Sequence, residues 1–273
     1  MIISQSFSKR LGILIILTLF NTLSYGQGIS VSPSRIFFKG EPGQIVTHAI
    51  TFSNSSQAEL NFISSIKDWN RDSLGVKQYY SVGELPESNG AWLSFTESSV
   101  QLAPGETKVV NLSMTIPADK GLNELTQSMV FFTQVKEQSK GNQQQGLAIN
   151  ILLEMGVQVY HVPAGLERGD LEFVAFEDRG IVPLAKDSVR QMAIKIQNTG
   201  QINKDAYLRF ELTNMETGEE IPIETTAMAL LPNAEQWISV NLPATLKGRY
   251  LAVAIVDAGS QYDLKVAEKE IQY

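Results

Sequence analysis

Residues 146–163 read GLAINILLEMGVQVYHVP. Leu147, Ile149, Ile151, Leu153, Met155, Val157 and Val159 occupy alternate positions and are all apolar, while Asn150, Glu154 and Gln158 punctuate the positions between them. Successive side chains of an extended chain point to opposite faces, so the odd residues make one apolar face. The pattern holds for about 15 residues, or roughly 50 Å, against a usual strand of roughly 3–10 residues. Two readings follow. Either two shorter strands meet at Gly156, with a bulge there, or a single long strand offers the apolar face of its first half, 147–153, to another protein.

The flanking sequence is β-like on both sides. Residues 45–52 (IVTHAITF) and 108–116 (KVVNLSMTI) alternate as half-buried strands, 60–69 reads as a strand, and 128–135 is apolar with β-branched and aromatic residues. Pro33 places 29–38 at a sheet edge or bulge, because proline cannot donate to a central ladder. Glu41-Pro42-Gly43, Asn54-Ser55-Ser56 and Ala103-Pro104-Gly105 are turns. Residues 70–90 read as a long polar connection, and 137–146 (EQSKGNQQQG) as a polar, flexible one. Past Pro163-Ala164-Gly165 the style repeats, with strands expected at 171–176, 189–196, 206–213, 221–228, 237–242, 249–256 and 264–271 and a hairpin at Thr217-Gly218. Many short strands with regular turn signals, and no helical periodicity, predict an all-β chain. The expected organisation is two immunoglobulin-like β-sandwich domains in tandem, 27–164 and 165–273.

The start of the chain is expected to be a leader. Lys9 and Arg10 precede the apolar run 11–20, and Ser24-Tyr25-Gly26 supplies a small-x-small end, so 1–26 reads as a secretory signal peptide cut near Gly26. The chain carries 22 basic and 29 acidic side chains, and losing Lys9 and Arg10 makes it more acidic still. That balance argues against nucleic acid and anionic lipid as partners. There is no cysteine, which removes disulfides, thiolate metal sites and a thiol nucleophile.

Chemistry-bearing constellations are sparse. His48 and His161 are the two histidines, and neither has a second histidine at ligand spacing. There is no G-x-S-x-G elbow and no Gly-rich phosphate loop. Asn54 and Asn111 open glycosylation sequons, a short match read as plain turn and strand residues, and Trp69, Trp92 and Trp237 read as core. The expectation is a non-enzyme with no catalytic residue, no metal, no cofactor and no small-molecule substrate.

The ordered set of segments resembles the PapD-like periplasmic chaperones of pilus assembly. Arg35 followed by Ile36-Phe37-Phe38 is similar to the opening of that family, and Asn54 to its turn after the second strand. Leu102-Ala103-Pro104-Gly105 with Val109 and Leu112 is similar to its L-x-P-G and next strand. Residues 127–132 fall at its strand F, and the long strand ending in Tyr160-His161-Val162-Pro163 at its strand G.

The resemblance implies donor-strand complementation, a form of β-strand addition. The chaperone lends an edge to a secreted pilus-type subunit whose sandwich is incomplete, and an outer-membrane usher is a further partner. By position the lent residues are Leu147, Ile149, Ile151 and Leu153. The family also anchors the subunit's terminal carboxylate with an arginine and a lysine in the cleft between the domains. Arg35 matches the arginine. Gln158 stands at the lysine position and carries no charge. Gln127 and Val162 stand where the family's interdomain ion pairing has an acid and an arginine, and Asp257 matches the remaining acid. The function so implied is that of a periplasmic chaperone for pilus-type or other surface subunits. The alternative is a structural or adhesive surface protein of two Ig-like domains with no chaperone role.

Overall fold

The computed structural model describes residues 28–118, 123–135, 152–184 and 187–273. The expected leader 1–26, the stretch 137–146 and three of the four expected donor residues, Leu147, Ile149 and Ile151, lie outside the described residues.

Ten strands build the first sandwich: β1 (Ile29–Ser32), β2 (Arg35–Phe38), β3 (Ile45–Asn54), β4 (Leu60–Arg71), β5 (Lys77–Tyr80), β6 (Leu93–Phe95), β7 (Ser99–Leu102), β8 (Thr107–Thr115), β9 (Thr126–Gln134) and β10 (Glu154–His161). One sheet runs β1-β3-β8-β6 and the other β2-β10-β9-β4-β5, with β7 also on β4. The chain crosses between the sheets at the cis Ser32–Pro33 bond, so β1 pairs antiparallel with β3 while β2 pairs parallel with β10. The alternation read from the sequence sets the core. Ile50, Phe52, Val110, Leu112 and Met114 pack against Phe62, Val130, Phe132, Val157 and Val159. The Phe132 ring meets Phe52 edge-on at 4.7 Å and Phe95 at 5.9 Å.

The second sandwich holds β11 (Leu171–Leu184), β12 (Asp187–Asn198), β13 (Lys204–Asn214), β14 (Glu220–Ile221), β15 (Thr226–Leu230), β16 (Glu235–Pro243), β17 (Arg249–Asp257) and β18 (Lys265–Gln272). Its sheets are β11-β12-β16 and β14-β13-β17-β18, with β15 also on β13. The two sandwiches share one device. Asn54 ends β3 and Asn198 ends β12, and each is buried. Each amide donates to the carbonyl four residues on, and its side-chain oxygen accepts the backbone N–H two residues on. A buried amide must be satisfied in this way or it costs stability. Asn54 is therefore a turn anchor inside the fold.

The all-β, two-sandwich expectation agrees with this architecture, and several local readings are corrected. Residues 70–90 are not one connection, because β4 continues to Arg71 and pairs with β5. Strand β11 runs on to Leu184 through register shifts, and 221–228 divides between β14 and β15. Trp237 is not core: its ring lies under Arg179 at 4.7 Å and Lys195 at 5.7 Å.

The sandwiches pack through the outer face of the β10-β9-β4 sheet. β9 is buried on both faces. Val130 and Phe132 enter the first core, while Met129 and Phe131 join Trp69, Leu125 and Tyr160 outside it, beside Val162, Leu166 and Leu231. The β4–β5 turn also reaches the second sandwich, where the Trp237 backbone N–H donates to the Ser73 carbonyl at 2.7 Å.

Candidate functional site

Strand β10 has two different edges. It pairs with β9 along its whole length, from Glu154 opposite Thr133 to His161 opposite Thr126, with no register shift at Gly156. The reading of two strands broken at Gly156 is therefore corrected. On the other side β2 covers only Gln158 to His161. Backbone groups of alternate residues point to alternate edges. The Leu153 carbonyl accepts the Gln134 N–H at 2.8 Å on the β9 side, and the Gln158 N–H donates to the Ser34 carbonyl at 3.0 Å on the β2 side. The backbone groups of Glu154 and Gly156 thus fall on the β2 side, ahead of where β2 begins. Among the described residues this edge is open over 154–157.

Side chains change along the same line. Val159 and Val157 are fully buried in the first core, Met155 is partly buried, and Leu153, next in the alternation, is 41% exposed. The neighbouring Leu152 is 55% exposed, and Val135 just past β9 is 41% exposed. The apolar face that fills the core continues beyond the end of the sandwich into solvent. Leu153, the one described residue of the expected donor set, lies where it emerges.

Arg35 lies between the two sandwiches. It is opposite Gln158 in the β2–β10 register, and its Nε donates to Gln158 Oε1 at 3.2 Å. Its two terminal nitrogens reach the Asp205 carboxylate of β13, at 2.5 and 3.3 Å. Tyr160 donates its hydroxyl to the same Gln158 oxygen at 2.8 Å and stacks on Phe37 at 5.2 Å. Burial pulls the Arg35 guanidinium down, and the Asp205 carboxylate more than offsets this, so the net shift is upward. Arg35, Phe37, Lys39 and Asp205 line a cleft of about 350 Å³. The structure therefore brings Arg35 and Gln158 together, with Gln158 serving as an acceptor for Arg35.

No family model matches the sequence, and no curated protein matches it either. Solved structures do match. One is a chain of the CsuC–CsuE chaperone–tip adhesion subunit pre-assembly complex, from the archaic chaperone-usher Csu pili of Acinetobacter baumannii. The alignment covers 88% of this chain and 97% of that one, with a TM-score of 0.50 and 10% identity. The fold is that of the PapD-like pilus chaperones. The YadV chaperone aligns over 89% of this chain and 99% of its own, with a TM-score of 0.49 and 11% identity.

Within this chaperone fold, one residue implied by the resemblance is replaced by another. The acid that joins the domains is Asp205, not Asp257, whose carboxylate instead accepts the Gly259 N–H at 2.8 Å. Asp205 is one exposed acid in the alternating strand β13, and nothing local to it in the sequence marks a partner 170 residues away. Gln127, expected at an acid position, donates its side-chain amide to the Trp69 carbonyl at 3.1 Å. The histidines separate as well. His48 meets Phe38 edge-on, while His161 is buried against Trp92. Among the described residues no cluster of three metal-ligating side chains occurs.

Proposed function

We propose that the chain is a periplasmic, non-catalytic chaperone that caps pilus-type or other surface subunits by lending them the open edge of β10. The observation that carries this reading is the unpaired edge over 154–157, continuous with the exposed Leu152 and Leu153. An added strand would satisfy the backbone groups of Glu154 and Gly156. Leu153, together with Leu147, Ile149 and Ile151 ahead of it, would fill the groove of an incomplete sandwich. Each such side chain removed from water contributes roughly 1.5–3 kcal/mol. An exposed apolar edge is otherwise an aggregation hazard, for the subunit as for any sheet protein. Arg35, supported by Gln158, would receive the subunit's terminal carboxylate in the cleft. Binding free energy drives the cycle without nucleotide or cofactor, and an outer-membrane usher would accept the subunit. The units 27–164 and 165–273, exported after removal of 1–26, belong to the same proposal. The test is capture from periplasm, with bound proteins identified by mass, using the wild-type protein, Leu153→Asp and Ile151→Asp. Wild type is expected to retain small β-rich secreted subunits and both variants to lose them at an unchanged melting temperature. Equal recovery by the variants would overturn the reading.

A further inference from the structure

Basic side chains are the minority in this chain, at 22 against 29 acidic ones, yet four of them gather on the outer face of the β2-β10-β9-β4-β5 sheet. Arg35 is opposite Gln158, and the Lys67 amine lies 5.5 Å from the centre of the Phe131 ring. Arg71 and Lys77 lie 5.7 and 5.6 Å from the centre of the Trp69 ring. Arg71 and Lys77 are also register partners across the β4–β5 hairpin. Like charges directly opposite each other on paired strands destabilise a sheet. A sequence breaks such a local rule most often where function demands it.

Among the described residues no acid pairs directly with either member of this pair. Asp205 is committed to Arg35. Arg71 donates to the Gly75 carbonyl at 2.6 Å, and neither Arg71 nor Lys77 forms an ion pair among the described residues. Burial pushes the Arg71 guanidinium down, with Tyr160 and Asp205 offsetting part of this and Arg35 adding to it. Burial pushes the Lys77 amine down too, and Arg71 and Arg35 push it further. Arg71 also opens onto a cavity of about 800 Å³ between the sandwiches, walled on the far side by Asp205, Tyr207, Trp237 and Asp257. Asp205 lines this cavity and the smaller cleft at Arg35, so the two spaces adjoin.

We propose that Arg71 and Lys77 form an anion subsite on the Trp69 ring that takes an acidic side chain near the end of the peptide segment paired with β10. This rests on the reading of β10 as a lent edge and adds a preference to it: segments ending in Glu or Asp over their amide counterparts. The carboxylate would relieve the repulsion between the two cations and gain charge-assisted hydrogen bonds from both. Arg35 would remain free to exchange Asp205 for the segment's terminal carboxylate.

The test uses the full chain and two synthetic peptides of alternating Val and Thr with free carboxyl termini, one ending in Glu and the other in Gln, titrated by calorimetry at low salt. The wild-type protein is expected to bind the Glu peptide roughly five- to tenfold more tightly. In Arg71→Gln/Lys77→Gln the preference disappears and the Gln peptide binds as before. Lys77→Gln alone gives the same direction of change if the double variant melts early. In Arg35→Ala both peptides weaken together and the preference stays. Equal binding of the two peptides by wild type, or a preference that survives in the double variant, overturns the subsite and leaves the lent edge standing. Failure of wild type to bind either peptide overturns the lent edge, and the subsite with it.

Discussion

Arg35 of β2 and Asp205 of β13 join the two sandwiches by a two-pronged ion pair, with N–O distances of 2.5 and 3.3 Å. The Asp205 side chain is 54% exposed, so water and salt screen much of the attraction. Asp205→Asn is expected to cost about 1 kcal/mol or less. It should lower the melting temperature by only a few degrees, about 2–4 °C per kcal/mol at this size. The same change releases Arg35, so a peptide with a free carboxyl terminus should bind more tightly to the variant. Calorimetry against the peptide and its C-terminal amide checks this, with the gain confined to the free acid.

Two apolar residues on the same hairpin separate stability from binding. Phe132 is fully buried between Phe52 and Phe95. Phe132→Ala removes that filling and is expected to cost about 3–5 kcal/mol. Leu153 belongs to an exposed end of the same core face, and Leu153→Asp is expected to change stability by no more than about 0.5 kcal/mol. Denaturant titration of both variants distinguishes them.

The strands that face one core were legible because burial on one side imposes period two. β3, β8 and β13 each alternate, and each was placed from sequence with small errors at the ends. The β4–β5 hairpin was missed because its residues, Arg71 to Lys77 and on to Tyr80, bury no continuous face in the first core. Its partner surface is another domain, and sequence pattern records only that a residue is polar, not what lies across from it. The same reason hid Asp205. Arg35 and Gln158 were singled out by their positions in the resemblance to the pilus chaperones and not by the strand pattern, which marks neither, and Trp237 was misjudged because an aromatic in an apolar strand gives no sign of which face it takes.

His161 gives the fold a predicted acid limb. It is buried at the end of β10 beside the Trp92 ring, 5.8 Å away, and burial holds its imidazole below the ordinary value of 6.5. As pH falls through 6.5, the unfolded chain takes up a proton that the folded chain does not, so stability falls with pH and levels off below the folded value. At higher pH both states are neutral and the contribution vanishes. His161→Phe should flatten this part of the profile, measured as melting temperature between about pH 7.5 and 5.

Two glycines report on the docked turn. Gly75 and Gly105 have φ of +82° and +75°, so alanine at either carries a similar backbone strain of about 1–2 kcal/mol. A Cβ at Gly105 meets open space, whereas one at Gly75 would come within 2.3 Å of the Gln236 side chain. The Gln236 amide ends a flexible side chain that can swing aside, so Gly75→Ala is expected to cost only slightly more than Gly105→Ala, and paired melting curves of the two variants check this.

The lent edge makes its most direct claim about two amides. The N–H groups of Glu154 and Gly156 fall on the β2 side of β10, ahead of where β2 begins, while those of Met155 and Val157 face β9. Amide hydrogen exchange, followed by NMR in the free protein and in complex with a subunit captured from periplasm, compares the two sets. The account predicts fast exchange at Glu154 and Gly156 in the free protein and strong protection in the complex, with Met155 and Val157 protected in both. Unchanged fast exchange at Glu154 and Gly156 in a stable complex would contradict it.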